Sequence, residues 1–215
     1  MFKHIKTGAK LVGGFLTAAL IVLVVAAMGP WGANNTGMPR FIEGDTSPDF
    51  QFDTPWENGL SFSGTSAGRP AVLVFLRYLG CPVCQMNMAT LKREVGLIDQ
   101  KGARLFVILQ SAAATVAGLT SKADWPFTII CDPEGIIFHQ YRVEPGGTIK
   151  LLHPAGLVAA VRARLNGYKH GKYEGKETQL PAVLIVTPDG RITYAYYGKH
   201  ISDVPSPSII ASHIG

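Results

Sequence analysis

Val72-Leu73-Val74-Phe75-Leu76-Arg77-Tyr78-Leu79-Gly80-Cys81-Pro82-Val83-Cys84-Gln85 is the stretch on which the reading of this chain turns. An apolar, partly β-branched run ends in Arg-Tyr-Leu-Gly, and a C-P-V-C follows at once. Met86 to Val95 is then composed of good helix formers. The pattern predicts buried strand, tight turn, cysteine pair and helix. The first turn of a helix carries unpaired N–H groups and a partial positive charge, both of which favour thiolate over thiol. A helix terminus contributes up to roughly 2 kcal/mol, about 1.5 pKa units, enough to bring a thiol from about 8.5 to about 7. Arg77, four residues before Cys81, adds to that shift.

A C-x-x-C pair in a strand–helix–strand setting reads as a thioredoxin-like redox motif. Two inert readings compete with it. A zinc site wants four ligands, and the one other cysteine, Cys131, has no partner nearby in the sequence. A structural disulfide closing so short a loop removes little unfolded-state entropy. Neither metal nor cofactor is expected.

Working outward, 215 residues allow one domain plus extras. The chain is 47% hydrophobic and 16% charged, so a core forms without disulfides. Of the net charge of +5, Lys3, Lys6 and Lys10 supply three, which leaves a nearly neutral body and argues against nucleic-acid binding. Leu11 to Met28 carries no charge and is mostly aliphatic. Eighteen helical residues span about 27 Å, close to a bilayer core of about 30 Å. Residues 1–28 are therefore expected to be a membrane-spanning anchor, the lysines inside and the remainder extracytoplasmic. A cleaved signal segment ending near Val25-Ala26-Ala27 is the alternative. Residues 29–42 read as a linker rich in Gly, Pro and Asn.

From residue 43 onward the expected order is as follows. Ser47–Asp53 and Leu60–Phe62 form a hairpin extension, and a loop at Ser66–Pro70 leads into the central strand. A helix runs from Val83 to about Lys101 with Gly102 as its C-cap glycine. Arg104–Gln110 is a second strand, parallel to the first across the crossover helix. Ser111 caps a helix through about Ser121. Phe127–Cys131 is a short strand, and Ile136–Tyr141 a short helix with Ile137, Phe138 and Tyr141 inward. Cys131 reads as a small buried side chain at a strand end rather than a resolving thiol. Residues 144–180 form an insertion. Within it Pro154–Asn166 makes an amphipathic helix that sets Leu157, Val158, Val161 and Leu165 against Arg162 and Arg164. The basic, glycine-punctuated Gly167–Lys176 is read as a solvated loop, with a lid or partner surface as the alternative. Ala182–Val186 and Ile192–Tyr197 are joined by Pro188-Asp189-Gly190 into an antiparallel pair, and Asp203–His213 closes the chain as a helix. This order makes an α/β fold: a central mixed sheet with helices on both faces.

Gly44-Asp45-Thr46-Ser47-Pro48-Asp49-Phe50, Phe75 to Cys84, Ile130-Cys131-Asp132-Pro133-Glu134, His170 to Gly175, Gln179-Leu180-Pro181-Ala182 and Tyr197 to Pro205 together carry a resemblance. They look like the thioredoxin-like superfamily and, more closely, its peroxiredoxin-like branch with an alkyl hydroperoxide reductase/thiol-specific antioxidant domain. The resemblance covers roughly residues 43–213 and implies a thioredoxin-like fold. It also implies roles. The P-x-x-x-T-x-x-C motif of peroxiredoxins places its proline on Arg77, its threonine on Cys81 and its peroxidatic cysteine on Cys84. Thioredoxins instead attack with the first cysteine, here Cys81. By similarity Pro181 is a cis-proline facing the pair, although a trans proline opening a strand fits the residues too.

Three functions stay open at this point. In the first, Cys84 attacks a peroxide, Cys81 resolves the sulfenic acid, and an external dithiol donor resets the disulfide, with Arg77 stabilising thiolate and leaving oxygen. In the second, a membrane-anchored thiol–disulfide oxidoreductase attacks a protein disulfide with Cys81. The third is a binding domain whose pair is passive.

Overall fold

The computed structural model describes residues 39–147 and 153–215. The apolar segment Leu11–Met28 and most of the linker lie outside the described residues, and so does the anchor expected there. Among the described residues no helix is long and apolar enough to cross a membrane.

β1 (Gln51–Phe52) and β2 (Leu60–Ser61) pair antiparallel, the expected hairpin in shortened form. The chain then turns into a helix that the sequence reading missed, α1 (Phe62–Ser66), capped by the Ser61 hydroxyl, which accepts from the Gly64 N–H. β3 (Ala71–Leu76) follows and is buried along its whole length. α2 (Pro82–Glu94) and α3 (Gly96–Asp99) share the stretch expected as one helix, with a break at Val95; Gly102, at φ 73°, ends it as expected.

β4 (Arg104–Leu109) leads to α4 (Ala113–Ala117), which is shorter than expected and is not capped by Ser111. That hydroxyl is buried and accepts the Leu79 N–H at 2.9 Å instead. A single turn of 3₁₀ helix (Lys122–Asp124) precedes β5 (Thr128–Cys131), and α5 (Ile136–Gln140) follows it. Asp132 holds the start of α5 by accepting the N–H groups of Ile136, Ile137 and Phe138. α6 (Pro154–Leu165), β6 (Ala182–Val186), β7 (Ile192–Tyr197) and α7 (Pro207–Ser212) complete the chain.

The five longer strands form one sheet in the order β5-β4-β3-β6-β7. β3, β4 and β5 are parallel; β6 and β7 run antiparallel, so the sheet is mixed as expected. Side chains on β3 alternate between two cores. Val72, Val74 and Leu76 pack with Met88 and Leu91 of α2, Val116 of α4 and Ile210 of α7. Ala71, Leu73 and Phe75 pack on the opposite face with Phe62, Ile137, Phe138 and Tyr141. Helices therefore cover both faces, and β3 sits at the centre. Its C-terminal end delivers the chain straight to the cysteine pair.

Two further expectations are corrected. Every peptide bond among the described residues is trans, including the one before Pro181. Pro181 stands just ahead of the first paired residue of β6, where no ladder N–H is demanded of it, and its carbonyl accepts the Gly198 N–H at 2.8 Å. The second correction concerns α6, whose bounds agree but whose face is reversed. Gly156 and Ala163 turn inward, while Leu157, Val158, Val161 and Leu165 turn to solvent.

Candidate active site

Cys81 is the N-cap of α2, and Pro82 takes the first helical position, where its missing N–H costs nothing. Sγ of Cys81 accepts the Cys84 N–H at 3.4 Å, as a capping oxygen would. Arg77 reaches back from the end of β3, and its Nη2 donates to the same sulfur at 2.9 Å. The Cys84 thiol also hydrogen-bonds to it. Donors from three directions thus converge on one atom. That convergence, led by the hydrogen bond from Cys84 and reinforced against burial by the Arg77 charge, pulls the Cys81 thiol down to about 6. Cys84 moves the opposite way. It lies within the first turn and faces the core, and burial together with the neighbouring Cys81 thiolate pushes its pKa well up. One member of the pair is a thiolate at neutral pH and the other a thiol.

Arg77 is itself held in place. Its Nη1 donates to the Glu177 carbonyl at 2.5 Å and to Glu177 Oε2 at 3.2 Å. Glu177 Oε1 accepts the hydroxyl of Tyr78, a side chain that is fully buried, and Tyr78 also hydrogen-bonds His170 Nε2 at 3.0 Å. Burial, and the Glu177 carboxylate that accepts its proton, raise the Tyr78 pKa well above the phenol range, so Tyr78 acts as a fixed donor rather than a base. The Nε of Arg77 is buried without a hydrogen-bond partner, which leaves one donor of the guanidinium unspent beside the sulfur.

The segment 167–176, read from the sequence as a solvated loop with a lid as the alternative, is largely exposed and also lies over the motif as a lid. Its Gly171 N–H donates to the Gly80 carbonyl at 2.8 Å, and Gln85 Nε2 donates to the Lys169 carbonyl at 3.1 Å. A Cβ on Gly80 would stand 2.2 Å from the Lys172 carbonyl oxygen, so only glycine admits the lid this close. Under it Cys81 is 0% exposed and Cys84 2%.

Of the residues singled out in the sequence, Arg77, Cys81 and Cys84 come together. Pro181 has its described contacts with Gly198 at the β6–β7 end of the sheet. Cys131 pairs in β5 and bonds to Asp53 through its backbone; burial, with Asp53 and Glu174 nearby, pushes its thiol up to about 12, in keeping with a core role. Tyr78, His170 and Glu177 were not foreseen. Tyr78 was visible as an aromatic beside the motif, but its partners lie 92 and 99 residues away. Among the described residues no cluster of His, Cys, Asp and Glu is built to hold a metal ion.

Residues 44–195 match the sequence model of the AhpC/TSA family. No curated protein matches the chain. Solved structures of similar fold include the peroxidoxin BcpB of Mycobacterium tuberculosis, at 14% identity and TM-score 0.53, covering 79% of this chain and 91% of that one. The thiol peroxidase of Chromobacterium violaceum aligns at 13% identity and TM-score 0.54, covering 81% and 86%. The reduced 2-Cys peroxiredoxin of Plasmodium vivax aligns at 13% identity and TM-score 0.59, covering 82% and 81%.

Proposed function

The chain belongs to the AhpC/TSA family, and from that membership we propose that this oxidoreductase is a thiol peroxidase that attacks with Cys81 and resolves with Cys84. The observation that carries the assignment is the Arg77 Nη2 to Cys81 Sγ hydrogen bond of 2.9 Å, made to the one thiol whose pKa is lowered. The Cys81 thiolate attacks the terminal oxygen of a hydroperoxide. An S–O bond forms and the O–O bond breaks; sulfur is oxidised to sulfenic acid and the peroxide is reduced to an alkoxide that takes up a proton. The Nε of Arg77, which has no other hydrogen-bond partner, steadies the charge passing to oxygen in this scheme. Cys84 then loses its proton and attacks the Cys81 sulfenic sulfur. The S–S bond forms, hydroxide leaves and is protonated to water. An external dithiol returns the pair to the reduced state by two thiol–disulfide exchanges.

A second reading, thiol–disulfide exchange with a protein partner, is favoured by one observation: the low-pKa thiol is the first of the pair, at the N-cap. The lid over Cys81 weighs against so large a substrate. The membrane anchor of residues 1–28, with the redox domain outside the cytoplasm, is kept with either reading on the uncharged run Leu11–Met28.

The test is single-turnover oxidation with a sulfenic-acid trap. Cys84→Ser should consume one equivalent of peroxide and carry the trap on Cys81, whereas Cys81→Ser should stay unoxidised. A trap found on Cys84 would overturn the assignment in favour of the motif alignment. A protein that ignores peroxide but reduces a small aromatic disulfide through Cys81 would establish the second reading.

A further inference from the structure

α6 carries its apolar side chains on the wrong side for a core helix. Leu157, Val158, Val161 and Leu165 are 50%, 58%, 60% and 81% exposed. At 100° per residue they fall within about a quarter of the helix circumference. Arg164 borders that stripe on one side and Arg162 on the other, both exposed. The inward face is made of Gly156, Ala159 and Ala163, small residues that let α6 lie against the rest of the domain. From His153 to Tyr173 the chain contains Arg162, Arg164, Lys169 and Lys172 and no Asp or Glu.

An apolar stripe with arginines on both edges matches a helix lying in the headgroup region of a membrane. There the apolar side chains enter the acyl boundary and the guanidinium groups snorkel to anionic phosphates. We propose that the outward face of α6 docks on an anionic bilayer. A second copy of the chain is a poorer occupant, because a two-fold contact through this face would set its cations against their own kind. A stable protein interface also needs about 800 Å² from each partner, more than one stripe of four side chains offers. The sequence supplies a reason for proximity: Leu11–Met28 is uncharged and apolar, and fourteen linker residues reach at most about 50 Å. α6 runs directly into the lid over the cysteine pair, so, resting on the peroxidase reading, the same docking would bring the site near hydroperoxides carried in the bilayer.

Carbene footprinting of the full chain tests this without using the cysteine chemistry, so its outcome and that of the peroxidase assay are separable. Labelling of the peptide containing residues 157–165 is compared without lipid, on phosphatidylcholine vesicles, and on vesicles with one third phosphatidylglycerol. We expect a several-fold fall on the anionic vesicles, little change on the zwitterionic ones, and loss of the effect in Arg162→Glu/Arg164→Glu. Unchanged labelling on anionic vesicles would overturn the proposal, as would equal protection on both vesicle types. Labelling already low without lipid would overturn it in favour of a protein occupant.

Discussion

Replacing Arg77 by Met removes the charged donor to Cys81 and keeps a long, apolar side chain in a buried slot. The site is 7% exposed, so the effect is little screened by solvent. A hydrogen bond from a charged group contributes about 1.5–3 kcal/mol, which is about 1–2 pKa units. The Cys81 thiol, at about 6 in the native protein, should therefore titrate in the variant near pH 7–8. The sign is fixed by the chemistry: the cation stabilises the deprotonated form, so its loss moves the midpoint upward and reactivity at low pH falls. At pH 6 the thiolate fraction drops from about one half to roughly 1–10%, and at pH 9 the two proteins are nearly alike. Thiolate absorbance at 240 nm, followed from pH 4 to 10 on reduced protein, reads this directly and needs no access beneath the lid. Arg77→Lys should fall between the two, since one ammonium cannot serve both Cys81 and Glu177. A midpoint unchanged in Arg77→Met refutes the argument. So does a low-pH thiolate that survives in Cys81→Ser.

Gly80→Ala forces a Cβ to within 2.2 Å of the Lys172 carbonyl oxygen, so the lid backbone must retreat by more than an ångström. Overpacking of this kind costs about 1–3 kcal/mol, which lowers Tm by roughly 2–12 °C in a chain of this size, while alkylation of Cys81 by iodoacetamide accelerates. A variant with native Tm and native alkylation rate would show that the lid does not press on Gly80. Cys131→Ser should lose about 1–2 kcal/mol by burying a hydroxyl in place of a thiol, yet keep peroxide-driven formation of one disulfide per chain. Loss of that disulfide in a folded variant would make Cys131 a participant.

The parts of the fold that were legible are those encoded by local pattern. Ala71–Leu76 and Arg104–Leu109 are continuous apolar runs bounded by turn residues, and both are central strands. Gly102 and the Pro188-Asp189-Gly190 turn ended their elements where expected. α6 shows the limit of pattern. Periodicity says which side chains share a face but not which face is inward, and here the small residues won the inner side. Ser111 shows a second limit: a good capping residue was taken by a stronger local demand, the buried N–H of Leu79. Glu177 and His170 reach the site across roughly a hundred residues of chain, a relation that no local pattern records.

The two departures from the peroxiredoxin motif explain one another once the side chains are placed. Arginine stands where that motif has proline, and cysteine where it has threonine; taken singly, each weakens the case for peroxide chemistry. In the structure they are in contact, guanidinium to sulfur, at 2.9 Å. The position four residues before the N-cap supplies the charge, and the N-cap supplies the atom that uses it. Cys84, at the position of the motif's peroxidatic cysteine, faces the core and keeps its proton. Nucleophilicity follows the thiolate rather than the place in an alignment. On the proposed mechanism, exchanging both motif positions together moves the attacking sulfur three residues toward the N-terminus, because the same helix start and the same pair of thiols serve either order.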